Sequence, residues 1–353
     1  MNGAAAIGDG IFQIPVPITD NPLGHTLVYA MESPGGLILV DAGWGDDNGW
    51  QGLNAGLAEI GHSVTDIEGV VVTHFHPDHT GLCGRVREAS GAWIAMHEDD
   101  HYLFDQMATA RNEEWMAYQL DNMERAGAPA ADRDAFRLAA AGESPVGPES
   151  APDRLLVDDE IIALTGRGLR VVYTPGHTPG HVCFYLDDAD IMFTGDHVLQ
   201  KTTPHVGNFV YPLDERDALA DFLDSLARVQ NMNITRGLGA HGIPIDDVGG
   251  RAGELIEHHQ ERLDHLLQEF ADDKLTVWDV AAKMKWYKPW AEISRWERRW
   301  RCPKVQLTFA IWLPESRSLR FPAPSPRSSL APSERSGPTS TPLVGPDLYS
   351  ASA

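Results

Sequence analysis

Four side chains that can bind a metal ion fall within six residues. They are His74, His76, Asp78 and His79 in "VVVTHFHPDHTG" (70–81), directly after an apolar run. Neutral imidazoles and carboxylates are the usual ligands of borderline divalent cations. At the mouth of a strand, the two-residue spacing of His74 and His76 can send both imidazoles to one ion. Pro77 blocks a continuing ladder and turns the chain, which displaces Asp78 and His79 toward a second ion position. Three downstream stretches repeat the pattern: "YTPGHTPGH" (173–181) with His177 and His181, "IMFTGDH" (191–197) with Asp196, and "GLGAHG" (237–242) with His241. Each candidate follows an apolar run and sits beside Gly or Pro. A sheet edge delivers side chains to one cleft from distant parts of a chain in this way.

The elements that must position them alternate. "IFQIPVPI", "HTLVYAME" and "GGLILVDAGWG" read as strands, "GWQGLNAGLAEIG" as a helix, then "GVVVTH" as a strand, "GLCGRVREASG" as a helix and "AWIAMHE" as a strand. Strands resume with "DEIIALTG", "LRVVYTPGHT", "HVCFYLDD" and "ADIMFTGDHV", and a helix "ERDALADFLDSLARVQ" precedes "ITRGLGAHG". The alternation predicts an α/β layered fold. Residues 99–150 interrupt it with helical spacing and a Pro/Gly-rich linker. They read as a helical insertion that packs on its host or caps a site. From Arg251 to Trp300 the pattern is helical and suggests a small C-terminal helical subdomain. Residues 301–353 hold nine of the 24 prolines, and there the periodicity fades. That tail is expected to be mostly disordered.

The set His74-x-His76-x-Asp78-His79, then His177, Asp196 and His241, resembles the metallo-β-lactamase-fold hydrolases, over roughly residues 7 to 250. The branch it looks closest to has the glyoxalase II or lactonase type of ligand set and a C-terminal helical or winged-helix-like extension. The resemblance implies a four-layer αββα sandwich with a helical insertion (99–150), a catalytic domain over 1–250 and a helical segment over 251–300. It implies two divalent ions, with His74, His76 and His177 on one, Asp78, His79 and His241 on the other, and Asp196 bridging both. Zinc is the expected ion for a His-rich site, with manganese and iron as alternatives. Asp41, in "LILVDAGWG", matches a strand-end aspartate that orients a ligand without binding the metal. The implied mechanism is attack on a carbonyl or phosphorus by a hydroxide bridging the two ions. One ion steadies the developing oxyanion, and Asp78 carries the proton.

The other candidates carry weaker signals. His181 reads as structural or as a support for a ligand, and His197 as pointing elsewhere. His205 and Tyr211, on the loop after Asp196, are candidates for substrate contact. Cys83 and Cys183 read as small buried residues, and His258 and His259 as ordinary helix residues.

Composition narrows the function. The chain has 353 residues, 42% of them apolar, and a formal net charge of −23. Such a surface repels nucleic acid and anionic membranes. Three scattered cysteines do not make a disulfide framework. The N-terminal residues show neither a basic start nor a long apolar run, so a cytoplasmic setting is expected. The expected partners are a small-molecule substrate and, as a further option, a second copy in a homodimer. No membrane is expected. Zinc β-lactamases of the main subclass carry a cysteine where this chain has Asp196, so lactam hydrolysis is disfavoured. The first expectation is a hydrolase of a thioester, ester or lactone with an apolar acyl portion. The alternatives are a metal-dependent phosphodiesterase or nuclease and, lower, an iron-dependent sulfur dioxygenase.

Overall fold

Alternation along each strand sorts its side chains into layers. In strand β4 (Gly36–Val40), Leu37 and Leu39 join one apolar cluster and Ile38 and Val40 another. A strand period of two produces this split wherever both faces of a sheet are covered. The structure, a computed structural model, describes residues 3–19, 21, 23–108, 112–139, 147–206, 216–270, 275–286 and 288–298. All of these lie in a compact unit spanning Met1–Ser318, and a second unit, Leu319–Ala353, falls outside them. Tyr211 and the expected tail, 301–353, also fall outside the described residues.

Two sheets form the centre. The first has seven strands in sequential order, β1 (Ala5–Gly8), β2 (Ile11–Pro17), β3 (His25–Ser33), β4, β5 (Ile67–Val71), β6 (Trp93–His97) and β7 (Arg154–Leu156). Pairing is antiparallel from β1 to β4 and parallel from β4 to β7. The second sheet runs β12-β11-β10-β9-β8, built from β8 (Ile161–Leu164), β9 (Arg167–Tyr173), β10 (Val182–Leu186), β11 (Ile191–Gly195) and β12 (Arg236–Gly239). Its pairs are antiparallel except β11 with β12.

Ile38, Val40 and Val71 of the first sheet pack against Val171, Phe184 and Phe193 of the second, which forms the inner core. On the outer side of the first sheet lie helices α1 (Asp47–Glu59) and α3 (Cys83–Ser90), and the one-turn helix α2 (Pro77–Thr80) follows the end of β5. There Leu53, Leu57 and Val86 meet Leu37 and Leu39. Asp46 caps α1 by accepting from the Gly49 N–H at 2.7 Å. The second sheet is covered by α7 (Ala218–Asn231) and α8 (Val248–Phe270), through Phe222, Leu226, Val248 and Leu255 against Val172, Cys183 and Met192. The expected four-layer αββα sandwich is present. Cys83 and Cys183 are buried in its outer layers, as expected.

The insertion contains α4 (Glu98–Ala108), α5 (Asn112–Arg125) and α6 (Ala130–Ala139). Among the described residues, two short α-helices follow α8, α9 (Val277–Lys283) and α10 (Arg295–Arg298). Residues far apart in sequence share one further core here. Met123 and Phe136 of the insertion pack with Leu266 of α8 and with Val277, Trp278 and Ala281 of α9. The Trp278 N–H donates to the Ala126 carbonyl at 2.8 Å, and Arg298 meets the buried Asp132 carboxylate at 3.3 Å. Leu103 and Phe104 of α4 instead join the outer core of the first sheet with Phe75.

The shared core has a measurable consequence. Trp278→Ala leaves a cavity between the insertion and α9, at a cost of about 3–5 kcal/mol to that lobe. In hydrogen exchange, protection should fall in α5, α6 and α9 together while the strands keep theirs. Loss confined to α9 would mean that the two segments do not share a core.

Candidate metal centre

The site forms where strands end. β4 runs into Asp41, β5 into Thr73 and His74, β9 into the turn of His177, β11 into Asp196 and β12 into His241. The Val182 N–H of β10 donates to the Thr73 carbonyl at 2.9 Å, which ties the second sheet to the end of the first. Gly195 takes a positive φ of 50°, and a side chain there would run into His181 and Thr73. Glycine therefore lets the β11 end approach the histidine loop closely.

Three imidazoles converge. His74 Nε2 lies 2.9 Å from His76 Nδ1 and 3.1 Å from His177 Nε2, and His177 Nε2 lies 3.1 Å from His76 Nδ1. The opposite nitrogens show what these atoms carry. His177 Nδ1 donates to the His205 carbonyl at 2.6 Å, so its Nε2 holds a lone pair. The Thr73 hydroxyl donates to Asp41 at 2.9 Å and faces His74 Nδ1 at 3.1 Å, which leaves His74 Nε2 bare as well. Burial pushes His74 well below its ordinary pKa, with His79 and His177 adding to the effect. Burial, followed by His177, pushes His76 down to about 3. Neutral rings with lone pairs this close repel one another unless a cation lies between them.

Asp78, His79 and His241 form a second group. His241 Nε2 lies 3.3 Å from Asp78 Oδ2 and 3.4 Å from Asp196 Oδ1, and His79 Nε2 lies 3.6 Å from Asp78 Oδ2. His79 Nε2, His241 Nε2 and Asp196 Oδ1 are buried with no partner at hydrogen-bond geometry. Buried polar atoms without partners are rare in folded proteins, and three of them aimed at one point suit a cation there. Burial would raise Asp78, but His79 and His241 hold it below the usual carboxylate range. Burial would lower His79, but Asp41, Asp78 and Asp196 pull it up to about 10. A bound cation would replace those protons against the same carboxylates.

Asp196 stands between the groups. Its Oδ2 is 3.7 Å from His177 Nε2, while Oδ1 faces His241 and His79. The residues present therefore suit divalent ions, and all seven expected ligands come together. Asp41 sits behind them, buried and at a φ of 62°. It accepts from the Thr73 N–H and His79 Nδ1, each at 2.8 Å. The His25 carbonyl accepts from His241 Nδ1 at 3.1 Å and aims that ring's Nε2 inward.

The remaining candidates divide. His181 is buried and not among the groups able to hold a metal. It meets Thr174 Oγ1 at 2.9 Å and accepts from the Asp196 N–H at 3.3 Å. His197 points away and packs on the Phe222 ring, which also meets the His259 ring edge-on. His205 reaches the site through its carbonyl on His177, and its ring is half-buried. Thr73, His25 and Asp100 also serve the site and belong to none of the ligand spacings. Thr73 adjoins His74 and was within reach of sequence reasoning. Asp100 lies beyond β6 and has no local signal. Burial pushes its carboxyl up to about 7, against hydrogen bonds from Thr178, Phe75 and Gly180.

A family model described as the Metallo-beta-lactamase superfamily matches residues 21–241. Among curated relatives, the chain is 25% identical to "Lactamase-like protein aptB" of Emericella nidulans, over 68% of this chain and 59% of that protein. It is 25% identical to "Beta-lactamase-like protein 2 homolog" of Caenorhabditis elegans, over 78% and 75%. An "Atrochrysone carboxyl ACP thioesterase" of Aspergillus fumigatus is 30% identical over 35% of this chain and 38% of its own length. Among solved structures, a metallo-beta-lactamase family protein of Thermus thermophilus superposes with a TM-score of 0.71 at 29% identity, covering 86% of this chain and 93% of that one. A beta-lactamase domain protein of Burkholderia ambifaria, at 22% identity, shares the fold with a TM-score of 0.73 over 87% and 88%.

The buried neutral histidines predict an acid sensitivity of the metal-free protein. Burial pushes His197 down to about 3, with the Ser225 backbone offsetting part of the effect. The unfolded chain binds its proton near pH 6.5. The stabilising contribution is therefore complete above pH 6.5 and is lost as the pH falls toward 3. The urea midpoint of chelator-treated protein should drop between pH 7 and 4. In His197→Phe the drop should be shallower by up to about one proton. An unchanged slope would show that His197 is already charged in the folded state.

Proposed function

The chain belongs to the metallo-β-lactamase superfamily, and we propose that within it the protein is a two-metal hydrolase of a thioester, ester or lactone with an apolar acyl portion. The observation that carries this proposal is the arrangement of two donor groups on either side of Asp196, each with unshared electron pairs or partnerless buried atoms directed inward. His74, His76 and His177 would hold one ion and Asp78, His79 and His241 the other, with Asp196 shared. Zinc suits this nitrogen-rich set best.

Bound ions supply Lewis acidity and lower the pKa of water toward neutrality. The chain's own groups do the rest. Asp41, Thr73, His25 and His205 orient the His74, His79, His241 and His177 rings, which lessens the reorganisation needed on binding. Asp78 keeps its carboxylate ionised between His79 and His241 and remains partly open to solvent, with 19% side-chain exposure. It is placed to accept the proton of the attacking water and pass it to the leaving thiol or alcohol.

Two observations support an acyl substrate. A relative named as a thioesterase matches over part of the chain. Leu23 and Ile243 are exposed, each two residues from a group at the site, His25 and His241 respectively, and would suit an apolar acyl chain at the rim. Met116, Leu120, Met123 and Phe136 of the insertion do not bear on this choice, because they belong to the lobe core. A phosphodiester substrate would use the same donor groups. The net charge of −23 disfavours a polyanionic one. A mononuclear iron dioxygenase would leave one of the two donor groups without a purpose.

A substrate panel tests the proposal. Purified protein should contain about two zinc ions per chain. Aryl thioesters and lactones should be turned over faster than bis-p-nitrophenyl phosphate. Chelation should abolish turnover and added zinc should restore it. His76→Ala and Asp196→Ala should each lower turnover by roughly two to three orders of magnitude. Faster turnover of the phosphodiester than of every acyl substrate would overturn the ranking.

A further inference from the structure

One buried carboxylate outside the ligand set holds together the two loops that supply the three-histidine group. Asp100, in the first turn of α4, is fully buried. Its Oδ2 accepts from the Phe75 N–H at 2.9 Å and from the Thr178 hydroxyl at 2.7 Å. Its Oδ1 accepts from the Gly180 N–H at 2.6 Å. Phe75 lies between His74 and His76, and Thr178 follows His177 directly. All three contacts are donors, so the ionised carboxylate is the form that satisfies them, as a charge-assisted knot.

The surroundings are built for this contact. A side chain at Gly180 would collide with the Asp100 backbone and carboxylate, so only glycine lets the turn approach so closely. Asp99 braces the same turn from outside. Tyr173 donates to Asp99 at 2.9 Å, and Arg216 reaches both Asp99, at 2.6 Å, and the Pro179 carbonyl, at 3.1 Å. The start of α4, which favours negative charge, is thus the fixed point to which the His177 turn is tied.

We propose that Asp100 is a positioning residue of the metal centre: by spanning the two loops it sets the separation of His177 from His74 and His76, and hence the metal affinity of that pocket. The proposal rests on reading the three-histidine group as a metal pocket. Asparagine in place of Asp100 keeps the shape, but it turns an N–H toward donors and frees one loop from the other.

Zinc affinity, read by competition with a chromophoric chelator, tests this. His241→Ala isolates the three-histidine pocket, and His76→Ala isolates the other. Adding Asp100→Asn to the His241→Ala background should weaken zinc binding about 10–100-fold, the range for groups that orient metal ligands. Adding it to the His76→Ala background should leave binding unchanged. General damage to the fold would weaken both. Thr178→Val, which removes one of the three donors, should weaken the first pocket by a smaller factor and provides the answer if Asp100→Asn does not fold. Wild-type affinity in both Asp100→Asn and Thr178→Val, or equal loss in both backgrounds, would overturn the proposal. Failure of the unmodified protein to bind zinc would instead overturn the metal reading on which it rests.

Discussion

Three imidazole nitrogens within 3.1 Å of one another, two of them shown by their hydrogen bonds to present lone pairs, are the constraint on which the rest of the structure depends. Such an arrangement is unfavourable by itself. Burial makes it worse, because rings kept from water cannot relieve the repulsion by taking up protons. It persists because the surrounding fold holds the His74 and His177 rings by their other edges. A cation placed among them turns the liability into binding energy, and folding and metal binding are then coupled.

The holding groups are mostly not ligands. Asp41 occupies a backbone conformation that non-glycine residues seldom adopt. In return its carboxylate reaches both Thr73 and His79. The carbonyls of His25 and His205 orient His241 and His177, so the start of β3 and the loop after Asp196 serve through their backbone. His181 presents a lone pair to the Asp196 N–H and holds the backbone of that residue in place. Orientation in advance of binding matters, because a ligand free to rotate must be ordered when the metal arrives.

The site also explains the sandwich. The candidate ligands come from the ends of β5, β9, β11 and β12, which belong to two different sheets. Only face-to-face packing through Val40, Val71, Phe184 and Phe193 brings those ends to one edge. The helical lobe is a separate construction. Its core joins residues near 120–136 to residues near 266–284, while Leu103 and Phe104 of the insertion pack on the first sheet.

Much of this was legible in the linear chain. The seven candidate ligands were readable because HxHxDH and its downstream companions pair ligand chemistry with strand ends, and both are local signals. The layered α/β architecture followed from strand and helix alternation, which is also local. The joint core of Phe136 and Trp278 was not legible, because each segment shows only an apolar helix face and no pattern says which face it meets. Asp100 was hidden for a similar reason: a carboxylate at a helix start is ordinary, and its importance lies in donors 25 and 80 residues away. The sequence by itself determined which residues can bind metal, because side-chain chemistry and strand-end spacing are written along the chain. The tertiary structure decided how those residues are aimed and what holds them, because hydrogen bonds between distant loops exist only once the sheets have packed.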